Sequence, residues 1–219
     1  MADVIFQMGS GLYGARNDKG EFCKERYKKI MSFCRMTEIK LAQGAKQTGG
    51  KLLGDKVSEA VAYFRGIEPH KSIISPNRFP YAQSPQMLCD FVQELQTLSQ
   101  KPVGIKIVIS GLENVTELIS YLSQRDKSSM GGIPDFITVD SGEGGSGAAP
   151  LELMDRIGLG SHDSIFILDT LLKKFGLRDK IKIISSGKIL TPDDVVLSLA
   201  LGADFVNIAR GFMMSAGCI

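Results

Sequence analysis

Glycines, acidic residues and small polar residues are concentrated between Asp135 and Pro150, which reads DFITVDSGEGGSGAAP. A short run rich in apolar residues, from Phe136 to Val139, ends there at Asp140 and leads into the glycines. A buried strand followed by a glycine-rich turn lets a ligand lie against backbone amides, because no side chain holds the ligand away. We therefore expect a ligand site here, with a flexible loop as the alternative that the glycines alone would also fit.

Two later turns place a cation beside a glycine, a combination that suits phosphate. Ser186, Gly187 and Lys188 follow one predicted strand, and Arg210 and Gly211 follow the next. Backbone amides of such turns, together with positive side chains, form a phosphate-binding cup. We predict that Gly187, Lys188, Arg210 and Gly211 bind a phosphate group, with ordinary surface charges as the alternative reading of the cations.

Three lysines stand where an anionic ligand could pair with them. Lys106 lies within the apolar stretch 103–109, and burying an unpaired ammonium group is costly. It must therefore either point into the mouth of a barrel toward an anion or escape to solvent at the end of its strand, and we favour the anion. Lys46 and Lys51 lie among glycines in the loop after an earlier predicted strand, a pattern that suits an anion but also an ordinary surface loop.

The glycine-rich segment also contains candidates for proton transfer, Asp140 and Glu143. A carboxylate can act as a general acid or base when it is held within hydrogen-bond reach of a reacting group. For Glu143, accepting hydrogen bonds from a ligand or capping the loop is the preferred reading.

Strand and helix patterns alternate along the chain, and this alternation would bring the candidate residues together. Apolar and β-branched runs predict strands over 4–8, 38–43, 103–109, 136–139, 182–185 and 204–209. Helical spacing predicts helices over 22–33 and 57–65, and further helices between the later strands. Strands separated by helices indicate βαβ units and a parallel sheet.

Capping residues predict where the later helices begin. We predict N-caps, in chain order, at Ser84, Asn114, Asp163 and Thr191. Proline directly follows Ser84 and Thr191, at the first helical position, where a helix tolerates it best. Glu117 would complete a capping box with Asn114.

A (β/α)8 TIM barrel fits this distribution better than a doubly wound sheet. A doubly wound sheet usually carries an early GxGxxG turn, whereas a barrel places ligand groups on the loops after many different strands. About six of the eight βα units are found, so we expect an incomplete barrel that lacks its N-terminal strands and its C-terminal end. Because unpaired strand edges are unfavourable, we expect residues 1–219 to be a single barrel domain and a fragment of a longer chain.

The composition is that of a globular protein, with 43% hydrophobic and 23% charged residues and a net charge of +2. Without a block of basic residues, a nucleic-acid partner is not expected. The cysteines form no CxxC pair, which argues against a disulfide framework or a zinc site. No apolar run approaches the length of about 18 residues that a membrane span needs, and no basic leader precedes the first apolar run, so we expect a cytoplasmic protein.

The ordered motifs resemble those of a known family: the FMN-binding barrel domain of glutamate synthase and the stand-alone glutamate synthase-related proteins. The resemblance covers nearly the whole chain, and its most specific part is DFITVDSGEGGSGAAPLE at 135–152. The other matching motifs, in family order, are EIKLAQGAK at 38–46, GGKLLGDKVS at 49–58, ISP at 74–76, VGIKIV at 103–108, SGK at 186–188 and ALGADFVNIARGFMMSAGCI at 200–219.

The resemblance implies an FMN-dependent oxidoreductase that reduces the imine of 2-oxoglutarate and ammonia to glutamate. It gives catalytic roles to Lys106, near the flavin ring, and to Lys46, near the oxo-acid, with Lys51 as a further substrate-binding residue. A cation near the ring stabilises the anionic reduced flavin. The cofactor-binding residues that the resemblance implies are Lys106, Asp140, Gly144, Gly145, Ser186, Gly187, Lys188, Arg210 and Gly211.

The family also implies partners outside this chain. They are an electron-donor protein or subunit, such as ferredoxin or an NAD(P)H-oxidising subunit, and an iron–sulfur cluster that only the complete protein could build, since Cys218 alone matches one of its three cysteine ligands. The family's larger enzymes have glutamine where this chain has Lys51, after the paired glycines. A flavin barrel with a different substrate and a non-catalytic fragment therefore stay open as alternatives.

Overall fold

The structure is a computed structural model, which describes residues 3–44, 50–145 and 150–217. The predicted residues Lys46 and Cys218 lie outside the described residues. The chain divides into two compact units. The first unit comprises residues 1–41 and 48–104, and the second comprises residues 42–47 and 105–219. Within the described ranges, none of the helices is both long enough and apolar enough to cross a membrane.

The first unit contains parallel strands, three helices and a small antiparallel pair. Strands β1 and β2 pair in parallel, with Ile5 opposite Met36 and Met8 opposite Ile39. In chain order the elements are β1 (Ile5–Met8), α1 (Lys24–Met31), β2 (Met36–Lys40), β3 (Lys51–Leu52), a 3-10 turn (Gly54–Lys56), α2 (Glu59–Arg65), β4 (Ile73–Ile74) and α3 (Pro85–Ser99). Strand β5 (Val103–Ile107) begins in this unit and ends in the second.

The core of the first unit is rich in aromatic side chains. Tyr27 is fully buried, and its hydroxyl lies 2.8 Å from the hydroxyl of Thr37 on β2. Burial raises the pKa of Tyr27, although the hydrogen bond with Thr37 works against this rise. The ring of Phe91 stacks on Tyr81 at 4.4 Å between centroids. The first contact fixes α1 on β2, and the second fixes α3 on the loop that precedes it.

The second unit repeats strand and helix in strict alternation. After β5 come α4 (Leu112–Lys127), β6 (Phe136–Asp140), α5 (Ser161–Lys174), β7 (Lys182–Ser186), α6 (Pro192–Ala200), β8 (Phe205–Asn207) and α7 (Arg210–Ser215). Strands β5, β6, β7 and β8 are parallel and are hydrogen-bonded in chain order. This order is that of a (β/α) barrel and lacks the reversal of a doubly wound sheet, which confirms the predicted fold class.

Two helix starts predicted from the sequence are confirmed in their side-chain contacts. The Ser84 hydroxyl accepts a hydrogen bond from the amide of Met87 at the start of α3. Thr191 and Asp194 form a capping box at α6, in which each side chain accepts from the other residue's amide. The amides of Leu190 and Thr191 both donate to the Asp194 carboxylate, and these bonds lower the pKa of that carboxyl group.

Two other predicted helix starts are wrong. Helix α4 begins at Leu112, so Asn114 lies inside its first turn and the extended residue Gly111 is the N-cap. Helix α5 begins at Ser161, so Asp163 is likewise a first-turn residue. The amide of Ser161, the first residue of α5, donates to the side chain of Glu143 in the loop after β6. A local sequence pattern cannot reveal such a cap.

A partly buried arginine holds the end of α5 to the two strands that follow it. Arg178 donates to Asp169 of α5 at 2.7 Å and pairs with Asp204 at 2.9 Å, and the same guanidinium reaches the carbonyl of Gly202. Asp204 in turn accepts from the amide of Ile183 in β7. Burial works to raise the pKa of Asp169, but hydrogen bonds from its cationic partners outweigh it and hold that pKa below the usual range.

We predict that replacing Arg178 by methionine destabilises the protein strongly. The substitution keeps much of the side-chain volume but removes the least exposed cation from both Asp169 and Asp204, which retain only the more exposed Lys173 and Lys182. The free energy of unfolding should therefore fall by about 2 to 3 kcal/mol. Urea denaturation followed by circular dichroism measures this. Lys180→Met is the matched control, because Lys180 pairs with Asp126 while half-exposed and should cost less than about 1 kcal/mol. Equal losses in the two variants would contradict the prediction.

Candidate functional site

A buried carboxylate lies at the centre of the candidate site in the second unit. Asp140 is the last residue of β6 and is 2% exposed. Its Oδ2 atom lies 3.4 Å from Nζ of Lys106 on β5 and accepts a hydrogen bond from the amide of Gly44 at 3.2 Å. The Lys106 side chain is 14% exposed, so it does not escape to solvent. The anion that faces Lys106 is therefore Asp140, and each buried charge compensates the other.

The loop after β6 folds back tightly over this carboxylate. The amide of Gly144 donates to the carbonyl of Ser141 at 2.9 Å, which closes a turn directly after Asp140. A methyl group at Gly144 would overlap Oδ1 of Asp140, and one at Gly44 would overlap the Ser141 carbonyl oxygen. Both positions therefore need glycine because two stretches of this chain approach each other, in addition to any role in ligand binding.

A further contact joins Gly145 to the segment that carries Gly44. Gly145 has φ +66°, and its carbonyl accepts a hydrogen bond from Nε2 of Gln43 at 3.0 Å. A side chain at Gly145 would overlap the Gln43 amide as well as strain the backbone. Two hydrogen bonds, from Gln43 to Gly145 and from Gly44 to Asp140, therefore hold the glycine-rich turn against the segment 43–44.

The loops after β6 and β7 meet at Ser141, a residue that sequence reasoning missed. The amide of Ser141 donates to the carbonyl of Ser186 at 3.1 Å. Gly187 has φ +118°, and a methyl group there would overlap Oγ of Ser141. That hydroxyl is buried and has no hydrogen-bond partner among the described residues. An unpaired buried hydroxyl is costly, which marks it as a group that a ligand could satisfy. The only signal in the sequence is its place between Asp140 and a glycine.

The predicted phosphate-binding residues occupy the ends of β7 and β8. Lys188 has φ +50° and pairs with Asp155 at 3.5 Å, both side chains being exposed. Arg210 is the first residue of α7. A methyl group at Gly211 would come within 3.4 Å of the carbonyl oxygen of Leu190, so the turn after β8 lies against the loop after β7. The structure therefore brings these two turns together.

Glu143 has a structural role. Its Oε2 atom accepts a hydrogen bond from the amide of Ser161 at 3.1 Å, at the first residue of α5. A carboxylate is favourable there, because the first amides of a helix lack partners and the helix dipole is positive. Of the two roles preferred for Glu143, the structure shows a capping contact, made to a helix and not within the loop, and this contact ties the glycine-rich turn to α5.

Of the predicted substrate-binding residues, Lys51 is described in the first unit. It is exposed at the start of β3, opposite Ile74 of β4. Lys46 and Cys218 fall outside the described residues, so their predicted roles stay predictions. Among the residues that the structure describes, no group of three or more histidine, cysteine or acidic side chains could hold a metal ion.

The second unit thus presents a consistent set of groups at the carboxyl ends of parallel strands. They are a buried ion pair, turn amides held in fixed positions, an unpaired hydroxyl and cations in the last two turns. Such a set suits a polar ligand that carries a phosphate group.

Comparison with known proteins places this arrangement in a family. The family model described as "Conserved region in glutamate synthase" matches residues 1–219. The chain is 50% identical to the glutamate synthase large subunit-like protein YerD of Bacillus subtilis, covering 100% of this chain and 41% of that protein. It is 31% identical to the archaeal-type glutamate synthase [NADPH] of Dehalococcoides mccartyi, covering 99% of this chain and 40% of that protein.

The fold has a counterpart among solved structures. A flavocytochrome b2 with pyruvate bound matches with a TM-score of 0.56 and 16% sequence identity, over 98% of this chain and 45% of that one. This likeness supports the barrel fold alone. The chain spans about two fifths of the length of these two curated relatives. The match of a glutamate synthase model over the whole sequence confirms the resemblance seen in the motifs, and the chain belongs to the glutamate synthase family.

Proposed function

We propose that this chain forms the FMN-binding part of an oxidoreductase of the glutamate synthase type, which reduces the imine of 2-oxoglutarate and ammonia to glutamate. The observation that carries the proposal is the convergence of Lys106, Asp140, Ser141 and Gly187 at the carboxyl ends of β5, β6 and β7. Ligands of barrel enzymes bind at this end of the strands. Family membership and the likeness to a flavocytochrome b2 fold support it.

The residues present fit FMN in their chemistry. The unpaired Ser141 hydroxyl and the amides of the closely packed glycine turns are polar groups that a phosphorylated ligand could use. Gly144 and Gly145 would lie along the flavin, while Ser186, Gly187, Lys188, Arg210 and Gly211 would hold its phosphate. When bound, FMN supplies the redox chemistry, and the chain supplies position and charge.

Lys106 and Asp140 would act as a pair on the flavin side of the site. Lys106 provides a positive charge that favours an anionic group nearby. Asp140 restrains Lys106 and partly cancels its charge, since Nζ and Oδ2 are 3.4 Å apart in a buried setting. The balance between these two charges would therefore set how strongly the site favours the reduced cofactor.

The substrate and partners belong to the same proposal. Lys46 would approach 2-oxoglutarate, and Lys51 would be a further contact to it. Ammonia would react with 2-oxoglutarate to form the imine. Electrons would come from a donor protein or subunit such as ferredoxin or an NAD(P)H-oxidising subunit. Cys218 would contribute to an iron–sulfur cluster only in a complete protein that supplies the remaining ligands.

A second candidate function is that of an FMN-dependent barrel oxidoreductase that acts on a different substrate. The relative that is 50% identical is named only as large subunit-like, and this chain has Lys51 where the family's larger enzymes have glutamine. An added cation favours a substrate with additional negative charge.

The first prediction concerns cofactor binding. The protein should purify with flavin absorbance, and Gly187→Ala should weaken FMN affinity at least about tenfold, because a methyl group there overlaps Ser141 Oγ and displaces the turn. Fluorescence titration of the apoprotein with FMN measures this. Gly176→Ala is the matched control: Gly176 also has positive φ, but its added methyl group would meet nothing within 4 Å. Equal affinities in the two variants would contradict the assignment of Gly187.

The second prediction concerns the charge balance at the buried pair. Lys106→Met should lower the reduction potential of bound flavin by about 30 mV or more, since about 1.4 kcal/mol corresponds to 30 mV for two electrons. Asp140→Asn should raise the potential, because Lys106 then lacks its counter-charge. Spectroelectrochemical titration measures both. Shifts of the same sign, or none, would refute a paired action on the cofactor.

The third prediction distinguishes the two candidate functions, one that uses 2-oxoglutarate and one that uses a different substrate. With an artificial electron donor, the complete protein should form glutamate from 2-oxoglutarate and ammonia, detected by mass spectrometry. If the substrate is 2-oxoglutarate, Lys51→Gln should retain this activity, because the family's larger enzymes have glutamine at this position. Bound flavin that is reduced by the donor but is not reoxidised by 2-oxoglutarate with ammonia would exclude the glutamate-forming reaction and leave the second candidate.

A further inference from the structure

The first unit contains a cavity that the proposed flavin site does not use. Its volume is about 590 Å³, within the range of small-molecule sites, which is roughly 300 to 1,000 Å³. It lies among the turn after β1, helix α1 and the segment from α2 to β4. Its charged lining residues are Arg16, Arg26, Lys71, Asp18 and Glu68.

Two arginines converge on one point of this cavity. Gly66 ends α2 with φ +65°, and a methyl group there would come within 3.0 Å of Nη1 of Arg26 and 3.4 Å of Cγ of Arg16. A side chain at Gly66 would therefore crowd both arginines. Glycine satisfies the left-handed backbone and leaves room beside the Arg26 guanidinium and the stem of the Arg16 side chain.

The guanidinium of Arg16 has unused donors. Its Nη1 donates to the carbonyl of Gly11 at 3.3 Å, while its buried Nε has no acceptor among the described residues. A guanidinium carries five N–H donors in a planar fork that matches carboxylate and phosphate oxygens. A buried donor without a partner is unfavourable, and an oxyanion in the cavity would relieve this cost.

The carboxylates around the cavity compensate the arginines only weakly. Asp18 lies 3.7 Å from Arg26, beyond hydrogen-bonding distance, and its side chain is 95% exposed. Glu68 pairs with Lys71 at 2.9 Å, with both side chains exposed. Three cations and two carboxylates leave a surplus positive charge in the lining. Asp18 is thus a loosely held counter-ion that a ligand could replace.

We propose that this cavity is a binding site for the carboxylate or phosphate group of a small organic anion, held by Arg16 and Arg26. The cavity also has apolar lining from Ala62, Ile67 and Ile73, which suits the carbon skeleton of such a ligand. The proposal is independent of the proposed reaction, because none of these residues belongs to the flavin site.

Isothermal titration calorimetry of the full protein in chloride buffer tests this site, with pyrophosphate and citrate as probes for phosphate and carboxylate. At least one probe should bind. Arg26→Gln should weaken that binding about tenfold, as expected for one charge-assisted hydrogen bond. Asp18→Asn should tighten it, because the competing carboxylate is removed. A gain of affinity in Asp18→Asn cannot result from unfolding.

Two controls distinguish this cavity from other anion sites. Arg35→Gln makes the same charge change in the first unit, at an exposed arginine paired with Asp3, and should leave affinity unchanged. Lys188→Gln alters the predicted flavin phosphate site and should also leave it unchanged. The proposal is overturned if neither probe binds, if Arg26→Gln and Arg35→Gln behave alike, if Asp18→Asn weakens binding, or if Lys188→Gln abolishes it.

Discussion

The second unit depends on the burial of one carboxylate at the end of β6. Asp140 is almost inaccessible to water, so its charge must be compensated from within the chain. Lys106 supplies the opposite charge and the Gly44 amide supplies a hydrogen bond. Because these partners come from separate stretches of the chain, compensating one charge also fixes where those stretches lie. The ion pair therefore organises the candidate site before any ligand is considered.

The glycines around Asp140 follow from the same constraint. Gly44 and Gly144 lack room for a methyl group because they pack against Ser141 and Asp140, and Gly187 lacks room because it packs against Ser141. A glycine-rich segment is often taken as a flexible loop, but here the glycines permit close packing that holds the turns in place. Turns held in this way can present their amides to a ligand without paying for ordering on binding. Packing and ligand binding are thus compatible uses of the same residues.

Sequence periodicity predicted the alternation of strands and helices and the parallel sheet, because burial imposes those patterns locally. It also predicted Ser84 and Thr191 as caps, whose partners lie within three residues. It failed for α5, where the cap is Glu143 from a distant loop, and it could not identify Asp140 as the partner of Lys106. Ser141 was missed because an unpaired buried hydroxyl is a property of tertiary packing. These three misses share one cause: each depends on a contact between residues far apart in sequence.

Charge is handled differently in the two units. In the second unit, Lys106 has a buried carboxylate as its partner, so the net charge of this pair contributes little to attracting an anion. The proposed binding of phosphate would therefore rest on turn amides and on Lys188 and Arg210. In the first unit, Arg16 and Arg26 have weak counter-ions around an open cavity, so charge itself favours anion binding. Salt should therefore weaken the proposed anion binding in the cavity of the first unit more strongly than the proposed FMN binding in the second, because screening acts on uncompensated, accessible charges.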